Sequence, residues 1–584
     1  MTIHRKIRWR DIDAGTLRAL PAWLGLAALA GGVYLLAAAL GNGITGFPLD
    51  DAWIHQTYAR NLATTGQWAF VPGQTSAGST SPLWSLLLSL GYWLGLPYRA
   101  WTYALGIVCL GLTGWSAARL GTRLFPAWPW VGPLAGLWCV LEWHLAWASV
   151  SGMETMLYTW LSVLIVDLWL SADRRPPTAD RRRQTDDRDI QRSTDNGQRP
   201  SGPEQLSAVD GQVARSGYRR SAVGIEWYLG LLGGLLALTR PEGLGLVGLI
   251  GLAAGWRRRH APRVVLRAWG LMGLGLALPL IPYLTFHYST TGLPFPNTFY
   301  AKQQEYALLL TLQPVWQRWL AVVAVTLVGG QVFLLPGFIY GVWRSISNLQ
   351  PPVSNLHLSN PSAASPWDSS QPSALLLPAV WWLAHLTLYV LRLPVTYQHG
   401  RYQMPVIPFF ILVGVGGMAY ILRPHARTWP LRVLSRAMMA SAGLVLLGFL
   451  GLGARAYATD VAFIQGEMVG TADWLAANVP PDSLVAVHDI GAIGYFTPRP
   501  LLDLAGLVTP EVIPFIADEA QLVEFMQARG ADYVVFFPDW SDAYRRMAHD
   551  PHLEPVHTTG FAWTLQQGRA NMTVYRLQPH LAHN

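Results

Sequence analysis

Long apolar runs, separated by short polar segments, constrain the fold of this chain more than any other feature. A run of about 20 apolar residues is long enough to cross the hydrocarbon core of a bilayer. Only 13% of the residues are charged, which is about half the share found in soluble domains. The sequence therefore predicts a polytopic α-helical membrane protein with about 11 spans, near residues 20–40, 101–118, 130–149, 155–171, 226–239, 243–256, 267–288, 318–343, 375–391, 403–422 and 437–455.

Basic residues in the short loops orient these spans. Lys and Arg concentrate in cytoplasmic loops, and Arg5, Lys6, Arg8 and Arg10 precede the first span. With the N-terminus in the cytoplasm, the other Arg-rich loops fall on the same side. Residues 82–96 are apolar but short, and counting them as a crossing would move those loops outside. We therefore interpret them as a helix at the outer interface, in a multi-pass protein of the plasma membrane.

Composition divides the chain further. Residues 172–224 and 345–374 are polar and poor in apolar side chains, and we expect them to be disordered cytoplasmic loops. Towards the C-terminus, short stretches with strand periodicity alternate with helical ones. The expected organisation is a transmembrane module at 1–455, with a first external loop at 41–100, followed by an extracytoplasmic α/β domain at 456–584.

Two classes of function are excluded by the charged residues and the cysteines. The net charge is +8, but the basic residues are scattered singly between apolar runs instead of gathering on one polar face, so nucleic-acid binding is not expected. Cys109 and Cys139 both lie in apolar runs, which leaves neither a disulfide framework nor a thiolate metal cluster. Any chemistry must come from Asp, Glu, His, Arg or Lys.

The first external loop carries the strongest local signal, the adjacent acids Asp50 and Asp51. Two neighbouring carboxylates repel each other, so each needs a cation, a metal or a shared proton. Asp51 or Asp50 could act as a general base. The sequence does not identify which of them does, because neighbouring side chains on one helical turn point in different directions. A pair of solvated loop acids is the alternative interpretation.

Further ionisable residues stand at the predicted outer ends of spans. Lys302 is one of only two lysines, and a lysine is a compact point charge suited to a phosphate oxygen. Together with it we predict a phosphate-binding role for Arg240, Arg401 and His399, and a supporting role for Arg60, Glu154 and Glu242. Interfacial anchoring or helix capping is the alternative for each. A divalent metal, Mg or Mn, held by Asp50, Asp51 and Glu154 is left open.

Two further features have less specific interpretations. His488 and Asp489 follow a predicted strand, where an aspartate usually caps the next turn. The many tryptophans at span ends are expected to form interfacial belts, although Trp53 or Trp68 in the first external loop could stack on a ligand.

The order of segments resembles a known superfamily. Asp50-Asp51, "YARNLA", "GQWAFVPG" and "TSPLW" are similar to the first external loop of GT-C glycosyltransferases, particularly bacterial polyprenyl-phosphate-sugar transferases related to mycobacterial arabinofuranosyltransferases. The resemblance continues in "SGMETMLYTWL", "LTRPEGLGLV", "GLPFPNTFYAK", "HGRYQMPVIPFF" and "HDIGAIGYFTPRPLLDLAGLV". It implies an inverting transfer of a hexosyl or pentosyl group from a polyprenyl-phosphate donor to an acceptor hydroxyl of a glycan, lipid or protein outside the membrane.

The residues agree with that chemistry. A hydroxyl nucleophile needs a nearby carboxylate to take its proton, and a departing phosphate needs positive charge. A transferase of another lipid-borne group and a flippase of lipid-linked sugars are the alternatives. A transporter would bury its charges at the membrane midplane, and the acids inside the predicted spans are Glu142 and Asp167, with Glu226 at the very end of one span.

Overall fold

The computed structural model describes residues 17–172, 225–293, 296–347 and 372–578. The predicted disordered loops at 172–224 and 345–374 lie almost wholly outside these ranges. The helices up to the C-terminal region are α1 (Leu20–Asn42), α2 (Asp51–Thr65), α3 (Pro82–Trp93), α4 (Tyr98–Leu124), α5 (Val131–Leu141), α6 (Trp143–Ser149), α7 (Thr155–Ala172), α8 (Ile225–Thr239), α9 (Gly243–Arg257), α10 (Pro262–Thr291), α11 (Asn297–Glu305), α12 (Ala307–Leu312), α13 (Val315–Leu327), α14 (Leu335–Ser347), α15 (Pro372–Arg392), α16 (Ile407–Ile421) and α17 (Trp429–Ile464).

The structure is a helical bundle with fewer full-length spans than predicted. Among the described residues, 6 helical stretches are long and apolar enough to cross a membrane, or up to 7 if a bent pair counts as one span. Four other predicted spans correspond to shorter apolar helices, α5, α7, α8 and α9. The prediction of a multi-pass helical protein is therefore confirmed, and the count of eleven full spans is not.

Two predicted spans are interrupted by breaks. The run at 130–149 stops at Glu142, whose backbone is extended (φ −69°, ψ 124°) and whose carboxylate accepts the Leu145 N–H at 2.9 Å, which caps α6. The run at 318–343 bends by 97° between α13 and the segment that contains α14. A polar residue inside an apolar run can break the helix because its side chain satisfies the freed backbone groups.

The core of the bundle surrounds α16, which is buried along nearly its whole length. Its glycines allow close packing: a Cβ at Gly417 would lie 1.9 Å from the carbonyl oxygen of Gly337 on α14. Any side chain at that position would separate the two helices, so small residues set the distance between them.

Residues 41–100, which the sequence predicts to be the first external loop, form a packed structure. It contains α2, a hairpin of β1 (Ala69–Val71) and β2 (Gln74–Thr75), and α3, which packs against α2. With 12 residues, α3 is about 18 Å long, which is too short to cross a hydrocarbon core of about 30 Å. The interpretation of residues 82–96 as a helix that does not cross the membrane agrees with this length.

The C-terminal region is an α/β unit. After α17 come a π-helical turn (Gln465–Val469) and α18 (Gly470–Asn478). The strands are β3 (Val485–Val487), β4 (Leu501–Asp503), β5 (Tyr533–Phe536), β6 (Leu553–Thr558) and β7 (Thr573–Leu577), in the order β4-β3-β5-β7-β6. The pairs of β3 are parallel and those of β7 antiparallel. Four short helices accompany the sheet: α19 (Ile490–Phe496), α20 (Glu519–Ala528), α21 (Asp542–Met547) and α22 (Ala562–Gln566).

A buried glutamate joins this unit to α17. Glu467, in the π-helical turn, is 0% exposed. Its carboxylate accepts hydrogen bonds from the Thr559 and Thr564 hydroxyls, the Asn571 amide and the Met572 N–H. Because these donors lie between β6 and β7, the glutamate fixes one edge of the sheet to the end of the long helix.

Candidate active site

A cavity of about 1010 Å³ lies where the connections between helices at one end of the bundle meet the C-terminal unit. It is the place where the predicted site residues come together. Eight of the nine line it, namely Asp50, Asp51, Glu154, Arg240, Glu242, Lys302, His399 and Arg401.

Arg60 is the exception. Its Nη1 donates to the Tyr495 carbonyl oxygen at 2.7 Å, and its guanidinium lies over the Tyr495 ring at 4.4 Å from the centroid. Arg60 therefore binds α19 in the C-terminal unit, and the expected support of the acidic pair by Arg60 is not what the structure shows.

Asp50 connects the first external loop to the C-terminal unit. Its side chain is buried, and its two carboxylate oxygens accept the Gly491 N–H at 2.7 Å and the Ala492 N–H at 2.8 Å. A Cβ at Gly491 would lie 2.0 Å from the Asp50 carbonyl oxygen, so this approach requires glycine. Burial and the nearby Asp489 carboxylate raise the pKa of Asp50 to about 7, although the two N–H bonds oppose that shift.

Asp51 has different surroundings. Its Oδ2 accepts Arg401 Nη2 at 2.5 Å, and 37% of its side chain is exposed. Burial alone would raise the pKa of Asp51, but the positive charges of Arg401 and Lys302 hold it below its ordinary value. The exposed carboxylate of the pair is therefore the ionised one.

A second ion pair lies beside the first. Arg240 Nε donates to Glu154 Oε1 at 2.7 Å, and the other Glu154 oxygen lies 3.5 Å from His55 Nε2. The His55 ring contacts the Ser85 hydroxyl at 3.0 Å. Sequence reasoning missed His55, although it stands one helical turn after Asp51 and so shares a face with it.

Both arginines have donors left over. Arg401 is 3% exposed and Arg240 5%. Arg401 Nε and Nη1, and Arg240 Nη1, have no hydrogen-bond partner among the described residues. Buried, unpartnered guanidinium N–H groups cost free energy, and an oxyanion bound in the cavity would supply their acceptors.

Lys302 and Glu242 are held mainly by aromatic side chains. Lys302 Nζ lies 5.7 Å from the centroid of the Tyr306 ring and 5.8 Å from that of Tyr397, and 3.6 Å from Glu305 Oε2. Glu242 accepts the Tyr389 hydroxyl. The cavity thus presents a lysine cation that lies between two tyrosine rings and beside the Glu305 carboxylate.

His399 lies in an unusual turn. Its φ is 58° and that of the preceding Gln398 is 54°, left-handed values that cost a non-glycine residue about 1 kcal/mol or more each. Its Nε2 lies 2.8 Å from Asp460 Oδ2, which also accepts Trp147 Nε1 at 3.0 Å. The turn sets the directions of His399 and Arg401. Asp460 is a site residue that no sequence motif indicated.

Residues 488 and 489 have a larger role than their sequence context indicates. Both line the cavity. Asp489 is the residue before α19, but its side chain makes no capping hydrogen bond. The prediction that it caps the next turn is wrong, because Asp50 accepts those N–H groups instead.

The predicted ligand contact of Trp53 is also corrected. Trp53 is 0% exposed and packs against the rings of Phe47 and Phe496, at centroid distances of 5.0 and 4.7 Å. It has no surface for a sugar. Trp68 packs against Tyr58 with the rings tilted by 38° and their centroids 5.4 Å apart.

The residues proposed for a divalent metal do not fit one. Among the described residues, no three His, Cys, Asp or Glu side chains come together in a group that could hold a metal ion. Asp50 is bound by backbone N–H groups, Asp51 by Arg401 and Glu154 by Arg240. Each of the three acids therefore already has a protein donor on at least one carboxylate oxygen.

Comparisons with known proteins bear on this arrangement. Residues 457–575 match the profile of a family described as a domain of unknown function, DUF8728. The sequence matches no curated protein.

Several solved structures are similar. ArnT from Cupriavidus metallidurans, in the apo state, has a TM-score of 0.54 at 14% identity, and the match covers 95% of this chain and 98% of that one. The same protein bound to undecaprenyl phosphate has a TM-score of 0.50 at 14% identity, with 94% and 97% covered. The oligosaccharyltransferase AglB from Archaeoglobus fulgidus, in complex with an inhibitory peptide and a dolichol-phosphate, has a TM-score of 0.52 at 12% identity, with 90% and 70% covered. At such identities the likeness concerns the fold, and this chain has the GT-C fold of those membrane glycosyltransferases.

Proposed function

We propose that the protein is an inverting glycosyltransferase that moves a sugar from a polyprenyl-phosphate donor to an acceptor hydroxyl. One observation carries the proposal: a single cavity holds an exposed, ionised carboxylate, Asp51, beside two buried arginines with unpartnered N–H groups. A carboxylate can take a proton from a hydroxyl, and the arginines can hold a phosphate. Two structures with this fold contain undecaprenyl phosphate or a dolichol-phosphate, which supports the choice of donor.

The proposed reaction assigns a role to each group. The acceptor hydroxyl gives its proton to Asp51, and its oxygen forms a bond to the anomeric carbon of the donor. The bond from that carbon to the phosphate oxygen breaks, and its electron pair stays on the phosphate. Arg401 and Lys302 then stabilise the charge on the leaving group.

Of the two adjacent acids, Asp51 fits the base and Asp50 does not. Both oxygens of Asp50 are engaged by backbone N–H groups in a buried position. Asp51 shares Arg401 with the proposed phosphate position, so a phosphate that binds Arg401 weakens the Asp51–Arg401 ion pair. The carboxylate then becomes a stronger base, because an opposite charge lowers the basicity of its partner.

The alternative of a lipid-linked sugar flippase has less support. The eight predicted site residues that line the cavity lie in connections between long helices or in the shorter helices α2 and α11. Asp167, by contrast, pairs with Arg119 and Arg123, and Glu142 binds His144 at 2.6 Å. A transporter site would place such groups in the middle of spans around the cavity.

The decisive test separates donor binding from transfer. Membranes that contain the full chain are supplied with radiolabelled polyprenyl-phosphate monosaccharides, and undecaprenyl phosphate binding is followed by native mass spectrometry. We expect Asp51→Asn to lower transfer by about 10²- to 10⁴-fold while undecaprenyl phosphate still binds. Lys302→Gln should weaken that binding.

The matched control is Asp482→Asn, at an exposed position of the C-terminal unit, and it should change neither quantity. Transfer at the normal rate by the Asp51→Asn protein would refute the role of the base. Failure of the unchanged protein to bind undecaprenyl phosphate would refute the donor class.

A further inference from the structure

One wall of the cavity belongs to the C-terminal unit and has no part in the steps proposed above. We call it the C-terminal wall and define it as Asp489, Trp540, Trp563, Gln567 and Arg569, all of which line the cavity. They come from the ends of β3 and β5 and from the region of α22.

The wall is one connected surface. His488, next to Asp489, lies 5.1 Å from the Trp540 ring. The backbone N–H of Trp540 donates to the Phe537 carbonyl oxygen at 3.1 Å. Phe537 stacks on Phe463, which in turn contacts Trp563 with ring centroids 5.7 Å apart.

Its two tryptophans are exposed, unlike the aromatic side chains in the core of the C-terminal unit. Trp540 is 41% exposed and Trp563 38%, whereas Phe536 and Tyr575 of the same unit are buried. An exposed apolar side chain in a cavity marks a binding surface more often than one on an open face. The large flat rings are therefore available to a ligand that enters the cavity.

The polar members of the wall narrow the choice of ligand. Asp489 has 19% of its side chain exposed, and Arg569 pairs with Asp539 at 2.8 Å. An acyl chain would be matched by an apolar groove without charges. A sugar ring has an apolar face of C–H groups and a rim of hydroxyls, so it matches aromatic rings surrounded by a carboxylate, an amide and a guanidinium.

The wall also lies beside the proposed base. Asp489 immediately precedes α19, whose Gly491 and Ala492 N–H groups bind Asp50, and Asp50 is the neighbour of Asp51. The wall and Asp51 line the same cavity, and Asp489 is the member of the wall that lies next to the acidic pair.

We propose that the C-terminal wall is a saccharide-binding surface, so that the acceptor of the transfer is a glycan. The statement that the bound saccharide is the acceptor rests on the proposed function. Saccharide binding itself can be measured without any donor. A peptide or a lipid acceptor would be a different outcome.

The test uses the full chain in nanodiscs and saturation-transfer NMR. The probes are methyl glycosides and disaccharides of glucose, mannose, galactose, rhamnose and arabinose, with no donor present. We expect at least one of them to bind the unchanged protein. The double variant Trp540→Ala with Trp563→Ala should bind it about tenfold or more weakly, as is usual when a central aromatic contact is truncated.

Two further variants serve as controls for folding and for the position of the tryptophans. The double variant Trp540→Phe with Trp563→Phe keeps an aromatic face at each position and should retain most of the saccharide binding. If substitution at these positions merely misfolded the domain, this variant would lose binding as well. Trp429→Ala removes a tryptophan of α17 that is 70% exposed and lies outside the cavity, and it should have no effect.

Three results would overturn the inference: no saccharide of the panel binds, the alanine variant binds as well as the unchanged protein, or the alanine substitutions weaken undecaprenyl phosphate binding by the same factor as saccharide binding. The last result would assign the wall to the donor. If the unchanged protein failed to bind undecaprenyl phosphate while saccharide binding behaved as expected, the proposed function would fail and the saccharide surface would stand.

Discussion

At the scale of single residues, Asp50 and Asp51 are adjacent in the chain but have opposite surroundings. Asp50 is closed in by two backbone N–H groups and a neighbouring carboxylate, while Asp51 is open to the cavity and paired with Arg401. The pKa of the first is raised and that of the second lowered. Two titratable groups with pKa values moved apart in this way commonly have separate roles.

Asp50 should make stability depend on pH. In the folded protein it keeps its proton up to about pH 7, whereas its ordinary pKa is 3.8. Between these values Asp50 binds more protons in the folded state than in the unfolded state, so its contribution to stability is fully present below about pH 4 and is lost as the pH rises to about 7. The largest slope from this one group is about 1.4 kcal/mol per pH unit.

Thermal unfolding in detergent at a series of pH values measures this slope. Asp50→Asn cannot titrate and should flatten the profile between pH 4 and 7, while Asp482→Asn should leave it unchanged. Equal slopes for Asp50→Asn and the unchanged protein would show that Asp50 does not hold its proton in the folded state.

Sequence reasoning located most of the site for a physical reason. Ionisable groups such as Lys302 and Arg401 stand out in an apolar chain, and the ends of spans bring them to one side of the membrane. It could not distinguish Asp50 from Asp51, because the difference comes from Gly491, which is 441 residues away in the chain. Asp460 gave no signal, since it is one polar residue near the end of a long helix.

At the scale of helices and strands, apolar periodicity predicted where helices lie but not where they break. Glu142 splits a predicted span because its carboxylate can cap α6, and the break between α13 and α14 bends the chain by 97°. Hydropathy averaged over a window does not show such local capping. In the C-terminal unit, alternating short stretches predicted strands and helices that correspond to β3, β5, β7, α18 and α20.

The π-helical turn after α17 provides an element-scale prediction. Glu467→Ala would remove a shared acceptor from four donors, of which those of Thr564, Asn571 and Met572 are buried. Each buried unsatisfied group costs about 1 to 3 kcal/mol. We therefore expect a destabilisation of about 3 kcal/mol or more, together with faster amide hydrogen exchange in β6, α22 and β7.

Hydrogen exchange followed by mass spectrometry would locate the effect. Glu524→Ala, on the exposed face of α20, serves as the control, because this carboxylate makes no side-chain hydrogen bond or ion pair with the described residues. Unchanged exchange in β6 and β7 of the Glu467→Ala protein would mean that the sheet edge is held by other contacts.

At the scale of the whole molecule, the distribution of Arg predicts which face of the membrane each part occupies. The proposed reaction requires the cavity and the C-terminal unit to lie outside the cell, with the loop between α9 and α10 inside. That loop contains Arg258, Arg259 and the exposed His260.

Cysteine labelling in intact cells tests this orientation. Cys109 is 5% exposed and Cys139 0%, so the natural cysteines give little background. Asp482→Cys should react with a membrane-impermeant maleimide from outside, and His260→Cys only after permeabilisation. The reverse pattern would place the proposed site in the cytoplasm and contradict the use of a donor at the outer face.

The contact of Asp50 with α19 has a consequence for inhibition. The joint between the bundle and the C-terminal unit lies one residue, about 3.8 Å along the backbone, from the carboxylate proposed to take the proton. Anything that separates α19 from Asp50 therefore shifts Asp51 while the phosphate position of Arg401 and Lys302 stays open. Such an inhibitor would lower the maximal rate without competing with the donor, and raising the donor concentration would not reverse it.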